Sequence, residues 1–160
     1  MLAASCGCQQ MQVHSAYGRG WNMATGLGQS FDWVPTRQKP TGEWWARNPT
    51  ADALIRSTVE RGFTAKGYKQ ASAGQADFWI DYHVFTGRTE EWQDFGPVVD
   101  YQNGALYLQV IDPASRQALF GASAESKLEL GFSPDEVKRR IEAAVPLMLK
   151  RLPDWKPPRT

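Results

Sequence analysis

Residues 76–86, Ala-Asp-Phe-Trp-Ile-Asp-Tyr-His-Val-Phe-Thr, alternate strictly. Phe78, Ile80, Tyr82 and Val84 fall on one side of an extended chain, and Trp79, Asp81, His83 and Phe85 on the other. A strand with one dry face cannot stand alone; it must join a sheet whose dry side another layer covers. Two segments can supply that layer. Ala51, Ile55, Val59 and Phe63, with Leu54 beside them, form an apolar stripe at helical spacing. It follows Asn48-Pro49, whose amide suits an N-cap and whose fixed φ suits the first helical position. Val137, Ile141, Ala144, Val145, Met148 and Leu152 trace a second stripe behind Ser133-Pro134-Asp135-Glu136, a capping-box sequence.

Within the first helix, Gly62 suits close packing against the sheet, and Gly67 suits the left-handed residue that ends it. In the second, Pro146 removes a backbone donor, which predicts a kink and resumption to about Arg151. Residues 9–35 read as two short strands around the glycines of Gly18-Arg-Gly and Gly26-Leu-Gly, the second strand ending at Pro35. Leu106, Leu108 and Val110 share one face of a further strand, and Asp112-Pro113-Ala114-Ser115 turns it back as residues 117–130. The expected fold is α+β with element order ββαβββα. It is a two-layer sandwich, a mostly antiparallel sheet carrying two helices on one face. This single domain spans residues 12–153, between an N-terminal segment, 1–11, and an extended Pro-rich tail, 154–160.

Composition excludes several functions. Eighteen Lys and Arg stand against 17 Asp and Glu, so the positive field that gathers nucleic-acid phosphates is missing. No apolar run approaches the roughly 20 residues of a membrane-spanning helix. There is no glycine-rich phosphate loop, no Gly-x-Ser-x-Gly elbow and no His-Glu-x-x-His pair, and neither a cofactor nor catalysis is expected. Asp81 and His83 share one strand face, where a carboxylate can orient an imidazole, yet no nucleophile accompanies them and a solvated face is the plainer reading. Glu90, Glu91 and Asp94 lack the ordered spacing of a calcium loop. Trp44, Trp45 and Trp92 fall in predicted loops, where flat rings can stack on sugars or simply cover the end of the sheet.

Both cysteines, Cys6 and Cys8, sit in the small-residue opening Met1-Leu-Ala-Ala-Ser-Cys-Gly-Cys. A disulfide framework would spread cysteines through the domain; a terminal pair points to processing or to a terminal ligand site. Ala3-Ala4-Ser5-Cys6 is similar to the site where bacterial lipoproteins are cleaved and lipidated, which nominates Cys6 as the lipid-bearing residue and places the leader upstream of the start given. Metal capture by Cys6, Cys8 and His14 matches no closed zinc spacing, so no metal site is expected.

The order of these elements, with these residues, resembles the bacterial lipoprotein family of domain of unknown function 4136. Phe31-Asp-Trp-Val-Pro35 resembles its aromatic-x-Trp-x-Pro strand, Asn48-Pro49 through Gly67-Tyr68 its first helix, and Ala76-Asp77-Phe78 through Tyr82-His83 its Ala-Asp strand. Gly104-Ala-Leu to Asp112 is similar to its central hairpin, and Ile141, Val145 and Leu149 closing on Leu152-Pro153 to its final helix. Phe120-Gly121 departs from its usual Trp-x-Gly. The resemblance implies a periplasmic domain anchored to the outer membrane by N-terminal lipid, facing an envelope protein or cell-wall partner. It implies no catalytic residues.

Overall fold

The computed structural model describes residues 11–22, 26–35, 45–46, 48–72, 74–85, 104–126 and 133–157. Its strands are β1 (Gln12–Tyr17), β2 (Ser30–Trp33), β3 (Lys69–Gln70), β4 (Phe78–Phe85), β5 (Gly104–Ile111) and β6 (Ala118–Ser126), and its helices are α1 (Ala51–Ala65) and α2 (Pro134–Met148). The sheet runs β1-β6-β5-β4-β2-β3. The α+β sandwich is therefore as expected, with the two-residue β3 added after α1. Pairings from β1 to β4 are antiparallel, while β2 lies parallel to both β3 and β4. The parallel pairs follow from α1, whose crossover returns the chain to the end of the sheet from which it left.

Register explains which side is dry. Phe120, Ala122 and Ala124 of β6 stand opposite Val110, Leu108 and Leu106 of β5, which in turn oppose Ile80, Tyr82 and Val84 of β4. These residues join the buried stripes of both helices in one core. All six predicted stripe residues of the second helical segment are buried, as are Ala51, Ile55, Val59 and Phe63 of the first.

Four helix details differ from the sequence expectation. Thr50, not Asn48, is the α1 N-cap, and it makes no side-chain cap bond. Pro49 instead sits inside a turn closed by the Ala51 N–H on the Asn48 carbonyl at 3.1 Å, so its fixed φ serves the turn that feeds the helix. Gly62 faces α2 and not the sheet, since a Cβ there would lie 2.6 Å from Leu149 Cδ1. Helix α2 passes through Pro146 and ends at Met148, short of Arg151. Pro146 is exposed, so the carbonyl it leaves unpaired can turn to water. At the start of α2, Ser133 Oγ accepts from the Glu136 N–H at 3.3 Å, but Glu136 gives its carboxylate to Arg139 and Arg140 and leaves the box half-formed.

The end of α1 is a Schellman motif. Gly67 has φ +90°, its N–H reaches the Thr64 carbonyl at 3.0 Å, and the Tyr68 N–H reaches the Phe63 carbonyl at 3.2 Å. The segment after α2 docks here: Tyr68 donates to the Pro153 carbonyl at 2.8 Å, and the Trp155 N–H to the Lys66 carbonyl at 2.8 Å. Burial, then the Asp154 charge and Tyr17, pushes the Tyr68 phenol up to about 12, so it remains a donor across the physiological range.

Asp77 joins the parallel strands. Its Oδ2 accepts from the backbone N–H of Gln29 and of Ser30 and from Ser30 Oγ, each at 2.8 Å. Burial pushes this carboxyl up, but the bonds from Ser30 and Gln29 outweigh it and hold the group below its ordinary 3.8. A depressed folded value contributes stability that is complete above the unfolded value and fades as pH falls through the folded one. Asp77→Asn is expected to lose about 1 kcal/mol at neutral pH, the net worth of a hydrogen bond at this exposed site. The deficit should shrink below about pH 4, as followed by urea denaturation at stepped pH. A deficit that stayed constant with pH would contradict the assignment.

Candidate functional site

The two described helices cover the same side of the sheet, and the opposite side carries Asp81, His83, Tyr107 and Gln109 together with the apolar Trp79, Phe85 and Ile111. Register aligns one row across four strands: His83 of β4 opposite Tyr107 of β5, Tyr107 opposite Ser123 of β6, and Ser123 opposite His14 of β1. A second row runs Asp81, Gln109, Gly121 and Ala16. Neighbouring strands lie about 4.8 Å apart, so each row spans roughly 14 Å.

Within this face, Asp81 Oδ1 accepts from the Tyr82 N–H at 2.9 Å and its Oδ2 lies 3.1 Å from His83 Nε2. The structure thus brings the suspected acid–base pair together. His83 is half exposed, its ring stacked on Phe85 at 6.0 Å, and among the described residues no hydroxyl is hydrogen-bonded to the imidazole. Among the described residues the pair has no nucleophile beside it of the kind that covalent catalysis uses. Gln109 Nε2 donates to Tyr107 Oη at 3.1 Å, which fixes the phenol beside Gly121. A Cβ on Gly121 would stand 3.0 Å from Tyr107 Oη. Because glycine stands there, a hollow of about 210 Å³ remains, lined among others by His14, Ala16, Tyr107, Gly121 and Ser123.

One end of the face carries backbone strain. Arg116 has φ +61°, the only non-glycine residue with positive φ among those described, and its guanidinium lies 4.6 Å from the centre of the Trp79 ring. Side chains of both signs therefore serve the open face, with Arg116 over Trp79 and Asp81 against His83. A smaller apolar cavity of about 60 Å³ lies on the helix side, bounded by Ile55, Leu106, Ala124, Val137 and Ile141. Arg140 at its rim is neutralised by Glu136 at 2.9 Å, and the lining is core.

Of the residues singled out from sequence, Cys6, Cys8, Trp44, Trp92, Glu90, Glu91 and Asp94 lie outside the described residues. Trp45 is half-buried with its ring 6.2 Å from that of Tyr82, a core packing position. His14 stands exposed on the open face, and no group of three or more potential metal ligands occurs among the described residues. No described helix is long and apolar enough to cross a membrane. Tyr107, Gln109, Gly121 and Ser123 were not nominated by sequence, although Tyr107-x-Gln109 is the polar half of the Leu106, Leu108, Val110 alternation.

The family model described as domain of unknown function (DUF4136) matches residues 13–154. No curated protein matches. Solved structures share the fold at low identity. A PDZ domain protein from Parabacteroides distasonis superposes with TM-score 0.59 at 14% identity, covering 92% of this chain but 37% of that one. The chain thus spans little more than a third of that protein. A DUF4136 family protein from Bacteroides thetaiotaomicron gives TM-score 0.55 at 13% identity over 91% of this chain and 98% of its own. The PelC dodecamer from Paraburkholderia phytofirmans gives 0.51 at 14% over 92% and 100%.

Proposed function

The chain belongs to the DUF4136 family, and from that premise we propose that it is a non-enzymatic interaction domain of the bacterial cell envelope. On this reading a lipid on Cys6 tethers it to the outer membrane, and the open sheet face meets an envelope partner in the periplasm. The observation that carries the reading is the one-sided helix layer: α1 and α2 share a single core with one face of the sheet, and among the described residues no helix packs on the row from His14 to His83. Stable anchoring requires more than one acyl chain, which the modified cysteine of a bacterial lipoprotein supplies. The loop-tryptophan reading draws less support, because Trp45 directs its ring at Tyr82.

Expression from the genomic reading frame, followed by fractionation and N-terminal mass, tests the tether. The expected product sits in the outer-membrane fraction with a diacylglyceryl-sized addition on Cys6, and Cys6→Ala moves to the soluble periplasm. Ser123→Arg should remain membrane-bound yet no longer retain its partner. A soluble parent protein with a free Cys6 thiol would remove the tether.

A further inference from the structure

The two edges of the sheet are finished differently. At one edge β3 is two residues long and carries Lys69, which leaves little backbone to pair and sets a charge against pairing. At the other, β1 is six residues, Gln-Val-His-Ser-Ala-Tyr, with no lysine, proline or bulge. The Gly18 N–H bonds to the Leu119 carbonyl across the ladder, so the antiparallel alternation turns the N–H and C=O of Val13, Ser15 and Tyr17 outward. Among the described residues these outward groups have one partner, the Arg151 guanidinium, 3.0 Å from the Ser15 carbonyl.

We propose that this edge, apart from the open face, takes an extended strand of another protein, apolar opposite Val13 and Tyr17 and acidic opposite Ser15. A row of outward N–H and C=O groups is complementary to the backbone of a further strand. Side chains on that strand opposite Val13, Ser15 and Tyr17 fall on the helix side of the sheet, where Val13 joins the core and Tyr17 meets Phe120 at 5.7 Å. Tyr17 and Leu147 are the large hydrophobic side chains left exposed among the described residues, at 37% and 49%. Val145 and Leu149 of the α2 segment point at Gly62 of α1, so Leu147 lies on the other flank of α2, toward β1. Both exposed side chains thus border the open edge and offer alternate apolar residues a seat.

Arg151 selects the acid. Among the described residues it has no carboxylate partner, and it must leave the Ser15 carbonyl when a strand N–H takes its place. A glutamate opposite Ser15 receives the displaced guanidinium. Two β1 strands paired about Ser15 would instead bring two Arg151 side chains together, and the ten residues before Met11 contain no acid.

NMR titration of the isotope-labelled full chain with acetyl-Thr-Val-Thr-Glu-Thr-Val-Thr-amide tests the edge. That sequence reads alike in both directions, so parallel and antiparallel strands present the same side chains. Saturable shifts are expected at the Val13, Ser15 and Tyr17 amides and at Leu147. N-methylation of the peptide's glutamate removes the donor for the Ser15 carbonyl and should weaken binding about tenfold, the scale of one lost hydrogen bond. A peptide with lysine in place of glutamate should weaken similarly, and Arg151→Glu should reverse the preference. Ser15→Pro deletes an outward N–H that the ladder does not use and should abolish binding; the N-methylated peptide carries the same test if that variant fails to fold. No saturable shift along β1, or equal binding of the N-methylated peptide, overturns the proposal. So do β1 shifts that grow with protein concentration alone and a doubled mass in sedimentation, which would make a second copy the occupant.

Discussion

Replacing Phe78 by alanine is expected to cost about 3–5 kcal/mol of folding stability, a large share of the roughly 5–15 kcal/mol that holds a domain of this kind together. Phe78 is fully buried where the parallel part of the sheet meets α1. Its ring centre lies 6.2 Å from that of Phe31, 5.7 Å from Phe63 and 5.5 Å from Tyr68. Truncation removes the apolar area of one ring and leaves three others facing a void that rigid neighbours cannot fill. The loss should reach Tyr68, which anchors the Pro153 carbonyl, so the docked end of the chain is expected to loosen with it. Urea denaturation gives the magnitude and near-ultraviolet circular dichroism the loss of aromatic packing. A cost below about 1 kcal/mol, the size of a surface effect, would contradict this core.

Gly18→Ala is expected to be the next most damaging, at about 2–3 kcal/mol, near the upper end of the usual overpacking cost. The added Cβ would stand 1.8 Å from the Ala118 carbonyl oxygen and 2.8 Å from its carbon. Both are backbone atoms of the neighbouring strand and cannot rotate away. Relief requires β1 to separate from β6 at this end, which breaks the Gly18 N–H bond to the Leu119 carbonyl at 2.8 Å. Gly26→Ala provides the contrast: nothing lies within 4 Å, but φ is +61°, so only backbone strain of about 1–2 kcal/mol enters. Amide exchange in β1 distinguishes the two. Gly18→Ala should accelerate exchange along this strand and Gly26→Ala should leave it protected.

Much of the fold was legible because local patterns and burial agree. The alternation of residues 78–85 and the stripes at Ile55, Val59, Phe63 and at Val137, Ile141, Val145 each name a dry side, and the structure joins those sides in one core. Strand direction was less legible, since Phe31 and Trp33 alternate identically whether β2 runs parallel or antiparallel to β4. Pro146 misled for a different reason. Its local cost argues for a kink with resumption to about Arg151, whereas the helix runs through the proline on its exposed side and ends at Met148. Asp77 could be read as part of a family motif, but its role depends on Gln29 and Ser30, brought near only by the parallel pairing.

The site was harder to read than the core. His83 was visible as one half of a pair on its own strand, yet its place in a row depends on three successive registers that end at His14. Gly121 looks in sequence like a weak point in a strand, and its meaning appears only beside Tyr107. Such a surface is assembled by pairing, and no single segment carries its signature.

Site-specific photo-crosslinking in living cells tests the central claim most directly, with a benzophenone side chain placed in turn at Gln109, Ser123 and His14 on the open sheet face and at Arg61 and Glu142 on the helix layer. The account predicts discrete adducts from the sheet-face positions and none from the helix layer. Adducts confined to the helix layer, or equal from both sides, would contradict it.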